Sequence, residues 1–438
     1  MKVNVRKLAA SILIEAEAAD KYINLALKSH SVDNLESNER AALTALVYTV
    51  TERRITYDYI ISALAGRESA RIDPYTLTLL RLGVCQIVSM HSIPDFAAVN
   101  ETVKLARNPG ESSFVNAILR SAVRAKDNLP IPSETKNYRR YLSVKYSFPL
   151  GTVKHFDALY GREATEKMLN FFNEEKYTDL TVNTLRTSVE SYSQLLTENG
   201  FEHRIDPDTG ISVRLCSSVN PERLPGFSEG LFLVQDKASL VSSMVINASK
   251  GDRIIDVCAA PGGKSFAAAI LSGDGADIHS YDIHPSKLSL ISDGATRLGL
   301  TSLKVAERDA TDPDESLLST ADKVICDAPC SGLGVLGKKA DLRYKDPSSV
   351  SELPELQYSI LSASAGYCKV GGELVYSTCT LNPEENENNV SRFLSEHPEF
   401  TAVDFSVGTL DSKDGILTLL PHLHATDGFF VAKLRRMN

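Results

Sequence analysis

From Lys237 onward the chain alternates short apolar-rich runs with helical patterns, and this alternation limits the possible folds more than any other feature. The runs are RIIDVC (253–258), DIHSYDI (277–283), LKVAERD (303–309), KVICDA (323–328), GELVYST (372–378) and GFFVAKL (428–434). Strand and helix in alternation build a parallel, doubly wound sheet, here with an antiparallel hairpin possible at its late end. Ligands of such sheets collect outside the carboxyl ends of the strands. The residues that follow each run are therefore the first to read for chemistry.

DVCAAPGGKS (256–265) closes the first run. The strand ends at Cys258, and the small residues Ala259, Ala260, Gly262 and Gly263, with Pro261 among them, let the backbone approach a ligand closely before a helix begins near Lys264. The spacing is neither GxGxxG nor GxxxxGK[ST], which disfavours a dinucleotide or a triphosphate. Asp282, Asp309 and Asp327 then fall at three successive strand ends. A single Asp there is most simply a cap or turn residue, but three in a row favour ligand contact, and the second strand's acid is placed for ribose hydroxyls.

Cys330 in DAPCSG and Cys379 in VYSTCT follow two further runs, among Pro, Ser, Thr and Gly, so their thiols can face a cleft. Cys85, Cys216, Cys326 and Cys368 read as small buried hydrophobes. Cys326 and Cys330 are spaced by four, but no CxxC pair or nearby His completes a tetrahedral set, so no metal is expected. These residues describe a cofactor enzyme with a thiol nucleophile.

The first 125 or so residues read as helices, with apolar positions at spacings of three and four in Leu43, Leu46, Val47 and Val50 and in Leu77, Leu80, Val84, Ile87 and Val88. DNLPIPSE (127–134) marks a linker, a helical pair follows over 136–174, and strands at 177–185, 201–205, 211–215 and 230–236 with a helix at 188–200 form a small α/β module packed on a neighbour. The expected domains are 1–128, a helical linker 129–175, the module 176–235 and the doubly wound domain 236–438.

Net charge is −9, yet it divides into +5 over residues 1–160 and −14 over the remainder. Lys136, Arg139, Arg140 and Lys145 crowd the end of the helical region, where they fit either a phosphate-binding stripe or a solvated helical face. No run nears the roughly 18 apolar residues of a spanning helix, and the seven cysteines show no disulfide framework, so a cytoplasmic protein is expected.

DVCAAPGGKS, ERDAT, CDAPCSG, LVYSTCTLNPEEN and TDGFFVAKL together resemble the signature set of the RNA cytosine-5 methyltransferases that use S-adenosylmethionine. FVNAILRSAVR (114–124) and residues 38–64 resemble the antitermination factor NusB, a domain that begins the bacterial members acting on 16S rRNA. The resemblance spans nearly the whole chain. It implies an all-α NusB-like domain, a small RRM-like α/β module and a Rossmann-like catalytic domain. It implies that the loop Cys258–Lys264 holds the methionine portion of the cofactor and that Asp282 and Asp309 hold its ribose and adenine ends. Asp327 then lies near cofactor and base, Cys379 attacks C6 of cytosine, and Cys330 assists breakdown of the adduct.

Cytosine C5 is too poor a nucleophile to take a methyl group unaided, and thiolate addition at C6 makes the ring an enamine that can. A carboxyl group at Asp327 can stabilise that form from the N3 and N4 edge. Lys338 and Lys339, in GKKADLRYK, stand where the family often has basic residues before a His-Pro-Asp run that is missing here, and they join the RNA contacts. A monomer bound to small-subunit rRNA is expected. The rival readings are a cytosine-5 methyltransferase of tRNA or of another rRNA site, and a non-catalytic RNA-binding factor; the latter predicts decay of the cofactor loop or of a cysteine motif, and neither is seen.

Overall fold

The computed structural model describes residues 4–19, 21–30, 35–174, 177–217, 219–344 and 351–438. It divides into two compact units, Met1–Asn170 with Lys339–Ser349, and Phe171–Lys338 with Val350–Asn438.

The first unit is helical: α1 (Val5–Ala18), α2 (Ile23–Ser29), α3 (Ser37–Glu52), α4 (Arg54–Ala65), α5 (Pro74–Val88), α6 (Asp95–Val103), α7 (Pro109–Ala125), α8 (Tyr138–Tyr146) and α9 (Leu150–Phe171), the last broken at Gly161. Asp73 caps α5 by accepting from the Thr76 amide at 3.1 Å, and Pro74 supplies the fixed φ of a first helical turn. Every residue from Thr76 to Ile87 is buried, including the polar Thr76, Thr78, Arg81 and Gln86, so this helix lies at the centre of the unit. Gly83 admits α7 here, since a Cβ at that position would lie 2.5 Å from a Leu119 methyl. The charge inside this core is compensated: Arg81 reaches both Asp58 oxygens at 2.6 and 2.8 Å and Glu17 at 2.9 Å. Helices expected over 136–174 appear as α8 and α9. They are tied into this unit by bonds such as Thr56 Oγ1 to the Val144 carbonyl at 2.6 Å.

In the second unit β1 (Thr178–Val182), β2 (His203–Ile205), β3 (Ser212–Leu215) and β4 (Phe232–Val234) form an antiparallel sheet in the order β2-β3-β1-β4, with α10 (Val189–Glu198) packed through Tyr192 and Leu196. The expected boundary at 175/176 lies outside the described residues. This module is anchored on its neighbour: Asn183, fully buried, donates to the carbonyls of Gly230 at 2.9 Å and Leu298 at 3.0 Å. Cys216, expected to be buried, is exposed, because it lies just past the end of β3.

The large sheet contains β5 (Arg253–Asp256), β6 (Asp277–Asp282), β7 (Leu303–Glu307), β8 (Ala321–Asp327), β9 (Cys368–Thr378), β10 (Phe400–Ala402), β13 (Ile416–Leu419) and β14 (Phe429–Arg436); β11 (Ser406–Val407) and β12 (Leu410–Asp411) form a separate hairpin. Its order is β10-β14-β9-β8-β5-β6-β7, with β13 on β14. The pairs among β5 to β9 are parallel and those of β14 antiparallel, the late hairpin expected from the sequence.

The period of two explains the two layers. Ile254, Ile325, Val375 and Val431 point to one face, covered by α11 (Lys237–Val245), α12 (Gly263–Leu271) and α13 (Pro285–Leu298). Their neighbours Ile255, Val324, Leu374 and Phe430 point to the other, covered by α14 (Leu353–Ala365) and α15 (Glu387–Glu396). Cys326 and Cys368 are fully buried in that second layer, as expected of small hydrophobes. Among the described residues no helix is long and apolar enough to cross a membrane.

Candidate active site

β5, β8 and β9 are adjacent and parallel, so the loops after them meet at one edge. The loop after β5 turns at Gly262, whose φ of +112° suits glycine and where a Cβ would fall on the Phe266 ring. A cleft of about 210 Å3 opens against it, lined by Gln235, Asp236, Ser239, Asp256, Cys258, Ala259, Ala260, Pro261, Gly263, Lys264 and Asp327. Six of the seven loop residues chosen from sequence therefore face one cleft, and Gly262 shapes it.

The electrostatics of the cleft centre on two acids. Lys264, 6% exposed, pairs with Asp327 at 2.6 Å, and its ammonium lies 5.0 Å from the Phe429 ring centre. Asp327 also accepts from the Ser377 hydroxyl at 2.8 Å. Asp256, absent from the sequence reading, is fully buried at the end of β5. Burial pushes it up to about 7, against the Ser265 hydroxyl that donates to Oδ2 at 2.7 Å. Its Oδ1 is buried without a hydrogen-bond partner among the described residues. An orphaned acceptor in a cleft walled by small residues and a helix N-terminus fits a ligand that carries both an ammonium and a carboxylate, as the methionine end of the implied cofactor does.

The remaining sequence candidates divide. Asp282, expected to hold the ribose, is 7% exposed and accepts from the amides of Ala260 at 3.2 Å and His284 at 3.0 Å, so it braces the glycine-rich loop. Asp309 is exposed and accepts from the Thr311 amide and hydroxyl at 2.9 and 2.7 Å, the geometry of a turn residue.

The thiols of Cys330 and Cys379 are brought to 3.1 Å across 49 residues of sequence. Both are half-buried. The hydrogen bond to Cys379, with burial, holds the Cys330 thiol well above its ordinary range. Gly334 closes the loop after Cys330: its amide donates to the Cys379 carbonyl at 3.0 Å and its carbonyl accepts from Gly428 at 2.8 Å. A Cβ at Gly334 would fall on the Gly428 carbonyl and lie 2.9 Å from the Cys379 oxygen. Gly334→Ala must therefore move backbone; a loss of about 1 to 3 kcal/mol is expected. Urea unfolding of the variant beside the parent measures it, and an unchanged midpoint would show that the two loops yield freely.

The basic candidates are less uniform than their sequence suggests. The Lys338 ammonium is held by Asp236 and, at 3.1 Å, by Asp427, over the Tyr177 ring, which compensates its charge and weakens it as a phosphate contact. Against the burial that would raise it, Lys338 holds Asp236 below the usual carboxylate range. Arg139 pairs with Asp157 at 2.5 Å and Lys145 with Glu166 at 3.0 Å, which weakens both as phosphate contacts. Lys136, Arg140 and Lys339 are exposed.

Two groups were missed that the sequence did signal. Asp256 is an acid closing an apolar strand, and Glu385 stands in the NPEEN run just after Cys379.

Three family models cover most of the chain: the NusB family over residues 3–124, the ferredoxin-like domain of RsmF/B-like methyltransferases over 148–221, and 16S rRNA methyltransferase RsmB/F over 243–435. The chain is 36% identical over 99% of its length to the whole of a protein of Synechocystis sp. named "Probable ribosomal RNA small subunit methyltransferase B". Among solved structures, that of PH0851 superposes with a TM-score of 0.80 at 26% identity, covering 100% of each chain. That of NSun6 from Pyrococcus horikoshii with SFG superposes with a TM-score of 0.62 at 23% identity, covering 67% of this chain and 99% of the other, and extends the likeness of fold. With a NusB domain, a ferredoxin-like module and a methyltransferase sheet in this order, and with a full-length relative of that name, the chain belongs to the S-adenosylmethionine-dependent ribosomal RNA small subunit methyltransferase B family.

Proposed function

We propose that this chain methylates C5 of one cytosine in 16S rRNA through a covalent adduct between Cys379 and C6. The observation that carries the reading is the approach of the Cys330 and Cys379 thiols to 3.1 Å beside a cofactor cleft that already contains Asp327. Two thiols that converge to 3.1 Å have a use in this reaction that simple transfer to an oxygen or nitrogen lacks.

S-adenosylmethionine supplies an electrophilic methyl group; the chain's own residues make the base able to accept it. Cys379 adds to C6, which loads electron density onto C5. Asp327, fixed by Lys264 and Ser377, accepts from the N4 amino group and favours the enamine. After methylation solvent water takes the proton from C5, the C5–H electron pair re-forms the C5–C6 double bond, the C6–S pair leaves on the Cys379 sulfur, and Cys330, as the neighbouring thiol, supports that release by donating a hydrogen bond to it. The loop Cys258–Lys264 with Asp256 holds the methionine end of the cofactor, and Asp282 its ribose.

In this reading residues 1–128 and the following helices to 175 bind RNA, 176–235 form an RRM-like module, 236–438 carry the chemistry, and the enzyme is a cytoplasmic monomer. Bisulfite sequencing of 16S rRNA from cells lacking the protein tests the assignment: one cytosine should lose its protection, and an unchanged map would refute it.

Two narrower results are expected. Asp282→Ala removes the brace on Ala260 together with the ribose contact, and should weaken S-adenosylhomocysteine binding by about 1.5 to 3 kcal/mol in calorimetric titration; equal affinity would leave Asp282 a loop support alone. Changing Lys136 and Arg140, the exposed cations, to Ala should weaken RNA binding and flatten its salt dependence, whereas changing the paired Arg139 and Lys145 should do less. Filter binding over a salt series separates the pairs, and equal slopes for both variants would return the whole segment to a solvated face.

A further inference from the structure

Glu385 belongs to neither the cofactor cleft nor the thiol pair, yet it is fully buried and bonded to both cysteine loops. Its Oε2 accepts from the Ser331 amide at 2.9 Å and from Gln357 Nε2 at 2.9 Å. Its Oε1 accepts from the Ser331 hydroxyl at 2.5 Å, Asn382 Nδ2 at 3.1 Å and Thr380 Oγ1 at 3.3 Å. Ser331 follows Cys330 and Thr380 follows Cys379, so one carboxylate grips the residue after each thiol.

The surroundings extend the grip. Gln357 also donates to the Pro329 carbonyl at 2.9 Å, on the other side of Cys330. Asn386 accepts from Thr378 Oγ1 at 2.6 Å and donates to the Thr380 carbonyl at 3.0 Å, on both sides of Cys379. No ion pair to Glu385 occurs among the described residues. The groups that face it are all donors, and such a set suits a group that accepts at both oxygens; the Ser331 and Thr380 hydroxyls also bond each other at 2.7 Å, so Thr380 shares its hydrogen between Ser331 and the carboxylate. A buried polar network of this kind orients its members when complete and loosens them when one acceptor is lost.

We propose that Glu385 is the positioning residue that holds the Cys330 and Cys379 thiols at their working separation. The inference rests on the two-thiol reading of the reaction for its catalytic consequence, although the separation itself can be measured without RNA. Glu385→Gln preserves size but turns one acceptor into an NH2 group facing donors, so the two loops should drift apart.

The direct readout is cross-linking by diamide. Each thiol gives up its hydrogen, the two sulfurs join, and the two hydrogens with their electrons reduce the N=N bond of the reagent to a hydrazine. With the full-length protein free of RNA, Glu385→Gln should slow formation of the Cys330–Cys379 bond, followed by mass spectrometry of the linked peptides, by tenfold or more. The kcat for methylation should fall about a hundredfold, while the dissociation constant for S-adenosylhomocysteine stays within twofold. Asn382→Ala removes a single donor and should slow cross-linking about threefold; it decides the matter if Glu385→Gln does not fold. Cross-linking at the parent's rate in whichever of these variants folds would overturn the proposal. If cross-linking slows but Cys379→Ala still methylates RNA, the positioning role stands and the thiol reading of the reaction fails.

Discussion

Cys379→Ala is expected to abolish methyl transfer, by at least about 10^4-fold, and to leave no covalent complex with RNA, because without that sulfur no bond to C6 can form. Cys330→Ala is expected to behave differently. Attack and methylation proceed, but release of Cys379 is slow, so a protein–RNA adduct should persist on a denaturing gel. The structure makes the asymmetry physical: the two sulfurs are 3.1 Å apart and the environment of Cys330 favours its protonated form. If the gel shows trapping with Cys379→Ala and not with Cys330→Ala, the roles are reversed. Full turnover in both variants would remove thiol chemistry altogether.

The second large effect concerns the Lys264 and Asp327 pair. Asp327→Ala leaves an ammonium that is 6% exposed without its ion-pair partner, beside the Phe429 ring and within the field of the buried Asp256. Breaking a fully buried pair costs about 3 to 5 kcal/mol, but the Asp327 side chain keeps 34% of its surface in solvent, so about 2 kcal/mol is expected here. Lys264→Met with Asp327→Ala should regain most of that stability, since no charge is left unpaired, and should still be inactive. Urea unfolding and a methylation assay on the two proteins separate the contributions. A double variant that is active would show that Asp327 serves the fold and not the base.

The sequence by itself determined the order of elements and the edge at which they act. Its apolar runs alternate with helical patterns, and all six candidate strands from 253 onward appear, because the period of side-chain burial is a local property of the chain. The short strands β10 to β13, of two to four residues each, went unread. The same locality made the Cys258–Lys264 loop legible, as its small residues are contiguous and only their neighbours need be known.

What only the tertiary structure decided depends on partners distant in sequence. Lys338 and Lys339 are adjacent, exposed and chemically alike, yet Lys338 is paired with Asp236 and Asp427, 102 and 89 residues away. Asp309 and Asp282 are both strand-end acids. One closes its own turn on Thr311, while the other reaches back 22 residues to Ala260. Asp256 and Glu385 show it most clearly: nothing local reveals that one has an acceptor with no partner and that the other grips Ser331 and Gln357, 54 and 28 residues away, because a buried carboxylate takes its character from whatever the fold packs against it.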